Sequence, residues 1–264
     1  MRFWIREVNL KAGDKEFTGD KFEIDFRVPF STKEEPDISE IRIYNLSNST
    51  IASIESKAYA ILNVGYRGDV GNILSGRIEN ISTEWQGVDK ITTLKVSDGG
   101  FEWRNATVNK TYQAGTKASY IMADLTSTLG LEVGEISPKN DIEYKLGKSI
   151  SGRVEWALKR LVKDTESKMY ISKGRLYIRN ENKGTETGFL LTSDTGLIGS
   201  PEKIEEEDEK GNKVIKYKVQ SLLNHRISTD SLIQIESKTI NGNYRVESGV
   251  HTGDFITEMI VVPA

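Results

Sequence analysis

Three stretches of the sequence carry residue types that do chemistry in other settings. Gly147-Lys148-Ser149 has the ending of a phosphate-binding loop, in which backbone amides and a lysine cradle phosphates. That motif needs a second glycine five residues before Gly147, and Ile142 stands there. The stretch is therefore expected to be a loop ahead of a helix. His251 lies in Val250-His251-Thr252-Gly253-Asp254, where an aspartate could orient the imidazole as a base. No nucleophile is marked beside it, and the plainer expectation is a turn histidine bonding its own loop. Glu205-Glu206-Glu207-Asp208-Glu209 could attract a cation. Calcium loops need alternating oxygen ligands and a glycine at a fixed place. Consecutive glutamates in a hairpin loop point alternately, so a solvated loop tip is expected instead.

Other chemistry is excluded by what is missing. The chain has no cysteine, hence no disulfide, cysteine-zinc site, iron-sulfur cluster or thiol nucleophile. Its two histidines, His225 and His251, are too few for a histidine-rich metal site or a pair of histidine bases. There is no Gly-x-Ser-x-Gly elbow and no His-Glu-x-x-His. The 39 acidic residues always offer a carboxylate pair for glycoside hydrolysis. No aromatic groove supports one, because Trp4, Trp85, Trp103 and Trp156 are dispersed and read as core or domain-seam residues. The expected catalytic, cofactor-binding and metal residues are none.

The elements that would position any site come from periodicity. The 264 residues fit one large β domain or two to three small ones. Hydrophobic residues are 37% and charged residues 28%, an ordinary globular balance that needs no covalent staples. Net charge is −3, and residues 201–213 alone carry six acids and three bases, so bulk charge does not predict nucleic-acid binding. No run approaches about 18 apolar residues, so no membrane span is expected. The opening MRFWIREVNLKAGDK lacks a signal-peptide core, which predicts a chain that stays in the cytoplasm where it is made unless carried out.

Phe22, Ile24, Phe26 and Val28 alternate with charged residues, a strand that Pro29 is expected to end. Ile41 to Tyr44, then Leu62 to Tyr66, Leu74 to Ile78 and Leu94 to Val96 repeat the pattern, with a turn at Gln86-Gly87 and a helical turn or two around Ser49 to Lys57. Gly65 and Gly76, inside strands, are expected to tolerate bulky residues poorly. The middle changes period. Ala118, Ile121, Met122, Leu125 and Leu129 predict a helix capped by Thr116 and Gly130, and Val154 to Val162 a second capped by Ser151, with Glu155 and Lys159 paired on its outer face. Strands then flank Ser172-Lys173-Gly174. Towards the end, Lys213 to Val219 alternates, Asn241-Gly242-Asn243 predicts a hairpin turn, and Phe255 to Val262 a closing strand. The reading is mainly β with a small α/β insert: a first β-barrel over 1–103, an α/β insert over 104–185 and a second β-barrel over 186–264.

Several phrases carry a resemblance. Ile43-Tyr44-Asn45-Leu46-Ser47, Gly65-Tyr66-Arg67-Gly68 and Ile73-Leu74-Ser75-Gly76-Arg77-Ile78 occur in that order. Gly196-Leu197-Ile198-Gly199-Ser200-Pro201, Gly242-Asn243-Tyr244-Arg245-Val246 and His251-Thr252-Gly253-Asp254 follow. Together they resemble the baseplate hub proteins of phage and contractile tails, of the late-control-protein-D-like kind. The resemblance implies two tube-protein-like antiparallel β-barrels per subunit and a homotrimer in a virion or tail-like particle. Such a hub joins the hexameric tail tube to a trimeric spike or tip and touches baseplate wedge proteins. DNA would pass through its lumen without sequence-specific contact. It implies no membrane partner and no enzyme. The alternatives are a tail-associated cell-wall hydrolase and a carbohydrate- or receptor-binding β module.

Overall fold

Alternation in the first hundred residues becomes a sheet curled over one core. A computed structural model describes residues 5–207, 211 and 213–264. It contains β1 (Arg6–Ala12), β2 (Lys15–Thr18), β3 (Ile24–Ser31), β4 (Ile38–Tyr44), α1 (Asn48–Ser53), β5 (Tyr59–Tyr66), β6 (Asp69–Gln86) and β7 (Asp89–Ser97). Residues of one parity point inward: Phe26 and Val28, Ile41 and Ile43, Leu62 and Val64, Leu94 and Val96 are all buried in a single cluster. Ser47 starts α1 by accepting the Thr50 N–H at 3.0 Å. Pro29 does not end its strand; β3 runs on to Ser31. The reason is local. β4 pairs with β3 only over Ile24 to Arg27, so Pro29 has a neighbour on one side alone and its missing N–H costs no second ladder.

The middle of the chain builds a separate compact unit from Thr32–Asp37 and Ser97–Lys183, the other unit being Met1–Ser31, Ile38–Val96 and Gly184–Ala264. It holds α2 (Gly100–Asn105), β8 (Thr107–Tyr112), β9 (Thr116–Lys117), α3 (Ala118–Thr128), β10 (Glu132–Ser137), β11 (Glu143–Tyr144), β12 (Lys148–Arg153), α4 (Val154–Asp164), β13 (Lys168–Ser172) and β14 (Arg175–Arg179). The helical-period residues of α3 and α4 pack with Trp103, Met169, Ile171, Leu176 and Ile178 into one core. Gly130 follows α3 at φ +67°, the left-handed stop the sequence predicts. The start of each helix differs from expectation. Thr116 lies in β9, and the side chain that caps α3 is Asp141, which accepts from the Ser119 amide at 2.9 Å and its hydroxyl at 2.8 Å. Ser151 lies in β12, and α4 begins at Val154 after Arg153, an N-cap residue that makes no side-chain capping bond. Glu155 faces inward, 6% exposed, and holds Arg153 at 2.8 Å and Lys159 at 3.0 Å, while Lys159 also reaches Glu35.

The remaining strands are β15 (Thr185–Leu191), β16 (Leu197–Glu207), β17 (Lys213–Leu222), β18 (Ser231–Glu236), β19 (Asn241–Thr252) and β20 (Ile256–Pro263). Glu205, Glu206 and Glu207 are strand residues of β16, in register with Ile215, Val214 and Lys213, and not loop; Asp208 and Glu209 lie outside the described residues. Asn241-Gly242-Asn243 is also strand, paired with Glu236, Ile235 and Gln234. The turn sits four residues earlier, where Ser237 accepts the Ile240 amide on its hydroxyl and donates its own amide to Asn241.

One sheet runs through the larger unit in the order β16-β17-β20-β19-β3-β4-β7-β6-β5-β1-β2, with β18 beside β19 and β15 beside β18. The chain is mainly β. Within this order a pattern repeats: β3-β4-β7-β6-β5 and β16-β17-β20-β19-β18 are each five consecutive strands of the chain in the same spatial sequence. The flanking strand breaks the match, since β1 is antiparallel to β5 whereas β15 is parallel to β18. The two runs join where β19 pairs with β3, from Ser248 opposite Ser31 to Thr252 opposite Arg27. Phe30 on β3 enters the second core with Val219, Ile233, Ile235, Val246 and Val261, and Leu223 and Phe255 enter the first.

Candidate functional site

The chemistry-bearing residues do not converge. Lys148 and Ser149 open β12, so no helix N-terminus faces them. The lysine sits 4.4 Å from the centre of the Tyr144 ring and 3.6 Å from the Asp164 carboxylate. With Arg153, Trp156 and Arg160 they line a cavity of about 480 Å³. His251 is neither a turn residue nor paired with Asp254. It stands in β19, 1% exposed, with Nδ1 2.8 Å from the Thr257 hydroxyl, Nε2 3.1 Å from the Ile227 carbonyl and its ring against Phe30. Both ring nitrogens are engaged, so it is a satisfied core histidine. Among the described residues no group of three or more acidic or histidine side chains is arranged to hold a metal ion.

What the fold does assemble is a seam between the two strand runs. Asp69, at the β5–β6 turn, receives Arg226 at 2.6 and 2.8 Å, a bidentate pair, and His225 Nε2 lies 3.1 Å from the same carboxylate. The imidazole lies so close to β6 that a Cβ on Gly71 would fall 2.1 Å from its Nδ1. Arg226, and after it His225, holds the Asp69 carboxyl down at about 2. A carboxyl lowered on folding from about 3.8 contributes stability that is complete above pH 4 and is lost as pH falls through 2. Asp69→Asn is therefore expected to flatten the acid limb of a melting-temperature profile between pH 4 and pH 2. An unchanged limb would show that the seam does not contribute. Nothing local in the sequence announces this cluster, since Asp69 and His225 stand 156 residues apart.

The smaller unit holds a carboxyl of opposite character. Asp98 is buried with Oδ1 unpartnered, and burial, followed by the neighbouring Asp37, pushes its pKa well above the usual carboxylate range. The raised value penalises the folded state near neutrality and relieves it on acidification. Asp98→Asn is expected to raise the melting temperature at pH 7 and to remove part of the gain seen as pH falls towards 4, read by calorimetry.

Two hairpin tips differ sharply. The β19–β20 tip carries Phe255, 3% exposed in the first core at 6.1 Å from Phe26 and 5.5 Å from Tyr66, with Arg6 over its ring at 5.0 Å. The β6–β7 tip carries Trp85 and Val88, 70% and 89% exposed. Of the tryptophans expected in the core or at a domain seam, Trp103 is in the core, donating its indole N–H to Glu35 at 3.2 Å; Trp85 and Trp156 face solvent, and Trp4 lies outside the described residues.

No family model and no curated protein matches the sequence. Solved structures do match, over nearly all of the chain. The 43 kDa tail protein of prophage MuSo2 from Shewanella oneidensis superposes with a TM-score of 0.70 at 12% identity, over 98% of each chain. The chain has the fold of phage tail proteins. A tail protein from Neisseria meningitidis MC58 gives 0.66 at 9% identity, over 98% of this chain and 97% of that one. A component of the E. coli type VI secretion system, described as structurally similar to the T4 bacteriophage tail proteins gp27 and gp5, gives 0.63 at 10% identity, over 97% of this chain and 76% of that one. At such identities the likeness is one of fold.

Proposed function

We propose that the chain is a structural hub of a phage tail or tail-like injection particle, joining a hexameric tail tube to a trimeric spike or tip. The observation that carries this is the five-strand run used twice in one sheet. A chain with two such runs, assembled as a homotrimer, presents six, and so meets sixfold symmetry on one side and threefold on the other. In this reading residues 1–103 and 186–264 each supply a barrel and 104–185 the insert. The partners are tube, spike and baseplate wedge proteins. The chain acts by assembly, with no catalytic, cofactor or metal residue, and sits in the baseplate of the particle with DNA free to pass its lumen.

The test is sedimentation of intact particles from the source culture, with mass spectrometry of the pellet and a copy count against tube protein. About three copies per particle are expected by the symmetry argument. Absence from every particle overturns the reading.

A further inference from the structure

The two strand runs are one device used twice, and inside the chain the second is seated on the first in a defined way. Beyond Arg245, β19 leaves β18 and its residues Ser248 to Thr252 pair with β3. The adjoining tip then buries Phe255. The equivalent part of the first run has no such partner among the described residues. β6 pairs with β5 as far as Arg77, Ile78 still bonds Ala58 and Lys57 through its N–H and C=O, and over residues 80–86 the neighbour among the described residues is β7. Val88 precedes β7 as Phe255 precedes β20, yet it is 89% exposed where Phe255 is 3% exposed. The counterpart of β3 is β16. It ends the sheet with β17 as its neighbour on one side and, among the described residues, an open edge on the other. That edge carries Pro201 and Glu205 to Glu207, residues that keep an open strand from indiscriminate pairing.

We propose that the 80–86 edge of β6, with Trp85 and Val88 at its tip, docks antiparallel on the β16 edge of a second copy of this chain. The contact repeats the β19-on-β3 pairing between molecules. Each copy offers one donor edge and one acceptor edge, so the contact is heterologous and closes into a ring when the rotation allows. Closure at three copies rests on the hub reading above; the edge contact rests on the repeat. Both edges carry carboxylates, Glu84 on β6 and Glu205 to Glu207 on β16, so added salt strengthens the association by screening.

The absence of cysteine allows a clean test on the full chain. One sample carries Thr83→Cys on β6. Others carry Lys203→Cys, Glu205→Cys or Glu207→Cys on β16, a scan of the register. After mixing and mild oxidation, a cross-linked dimer is expected between Thr83→Cys and at least one β16 variant, with little from any variant alone. No cross-link across the scan, or equal cross-linking within single samples, overturns the contact. The double variant Trp85→Ser, Val88→Asp is expected to weaken self-association at least about tenfold in sedimentation velocity with an unchanged melting temperature, since both side chains are exposed. Unchanged association of that variant, or a wild-type chain that stays monomeric at its highest soluble concentration, also overturns it. Particles with three copies but no cross-link would leave the hub reading standing and remove this contact; cross-links from a chain absent from particles would do the reverse.

Discussion

Phe255→Ala is expected to cost the protein about 3–5 kcal/mol of stability, the range for emptying a buried aromatic site. The ring fills the first core from a hairpin tip that belongs to the other strand run, edge-on to Phe26 and Tyr66 and under Arg6. Its backbone is held at φ +64°, a left-handed conformation that a bulky residue adopts at a cost of about 1 kcal/mol or more. Packing must outweigh that strain, so removing the ring leaves a cavity and a strained turn together. Phe255→Leu keeps most of the buried surface and should lose clearly less. Urea unfolding followed by tryptophan fluorescence measures both. A loss below about 1 kcal/mol for the alanine variant would mean that the tip does not hold the two runs together.

Gly65→Val is the second large effect. Gly65 lies in β5 opposite Val70, one residue before the β5–β6 turn. A Cβ there would stand 2.1 Å from the Asp69 carbonyl oxygen and 2.8 Å from the Val70 Cα. Both are backbone atoms of the paired strand and cannot rotate away. The hairpin would have to open, which also displaces the Asp69 carboxylate from Arg226. The expected loss is about 3 kcal/mol or more, at the upper end for overpacking. Gly68 in the same turn is the control: at φ +86° with nothing within 4 Å of an added Cβ, Gly68→Ala should cost only the left-handed penalty of about 1–2 kcal/mol. Equal melting temperatures for the Gly65 and Gly68 variants would refute the close-approach argument.

The sequence was most legible where burial follows period. Phe26, Val28, Leu62, Val64, Leu94 and Val96 alternate because one sheet face is dry, and Ile121, Met122 and Leu125 recur at helical spacing for the same reason. Gly65 was legible as a close approach. Local punctuation was less reliable. Asn241-Gly242 has the composition of a turn, but Ser237 and Ile240 close the hairpin earlier through a side-chain bond that no dipeptide rule detects. Pro29 stops a strand only when neighbours lie on both sides, and β3 has one there. Ser151 and Thr116 have the chemistry of caps, yet strand pairing claims both positions and Asp141 caps α3 from 22 residues away. The seam of Asp69, His225 and Arg226 and the seating of Phe255 depend on contacts between distant parts of the chain, and nothing local to those residues announces them. The tail-hub resemblance rested on short phrases; the fold bears out its coarser part, the likeness to phage tail proteins.

The dependence of the first core on Leu223 and Phe255 has a consequence in time. Val96 and Phe255 are separated by 159 residues in the sequence. At translation rates of about 5–20 residues per second, that gap lasts on the order of ten seconds or more. Throughout it the nascent N-terminal sheet stands with its inner face incomplete and the rim of β3 unpaired. Closing it needs pairing between ends of the chain, the slow kind of step in a β topology. Production in a cell should therefore be limited by this interval. Slower growth temperature or added chaperone should raise the soluble yield more than any stabilising change within the first hundred residues.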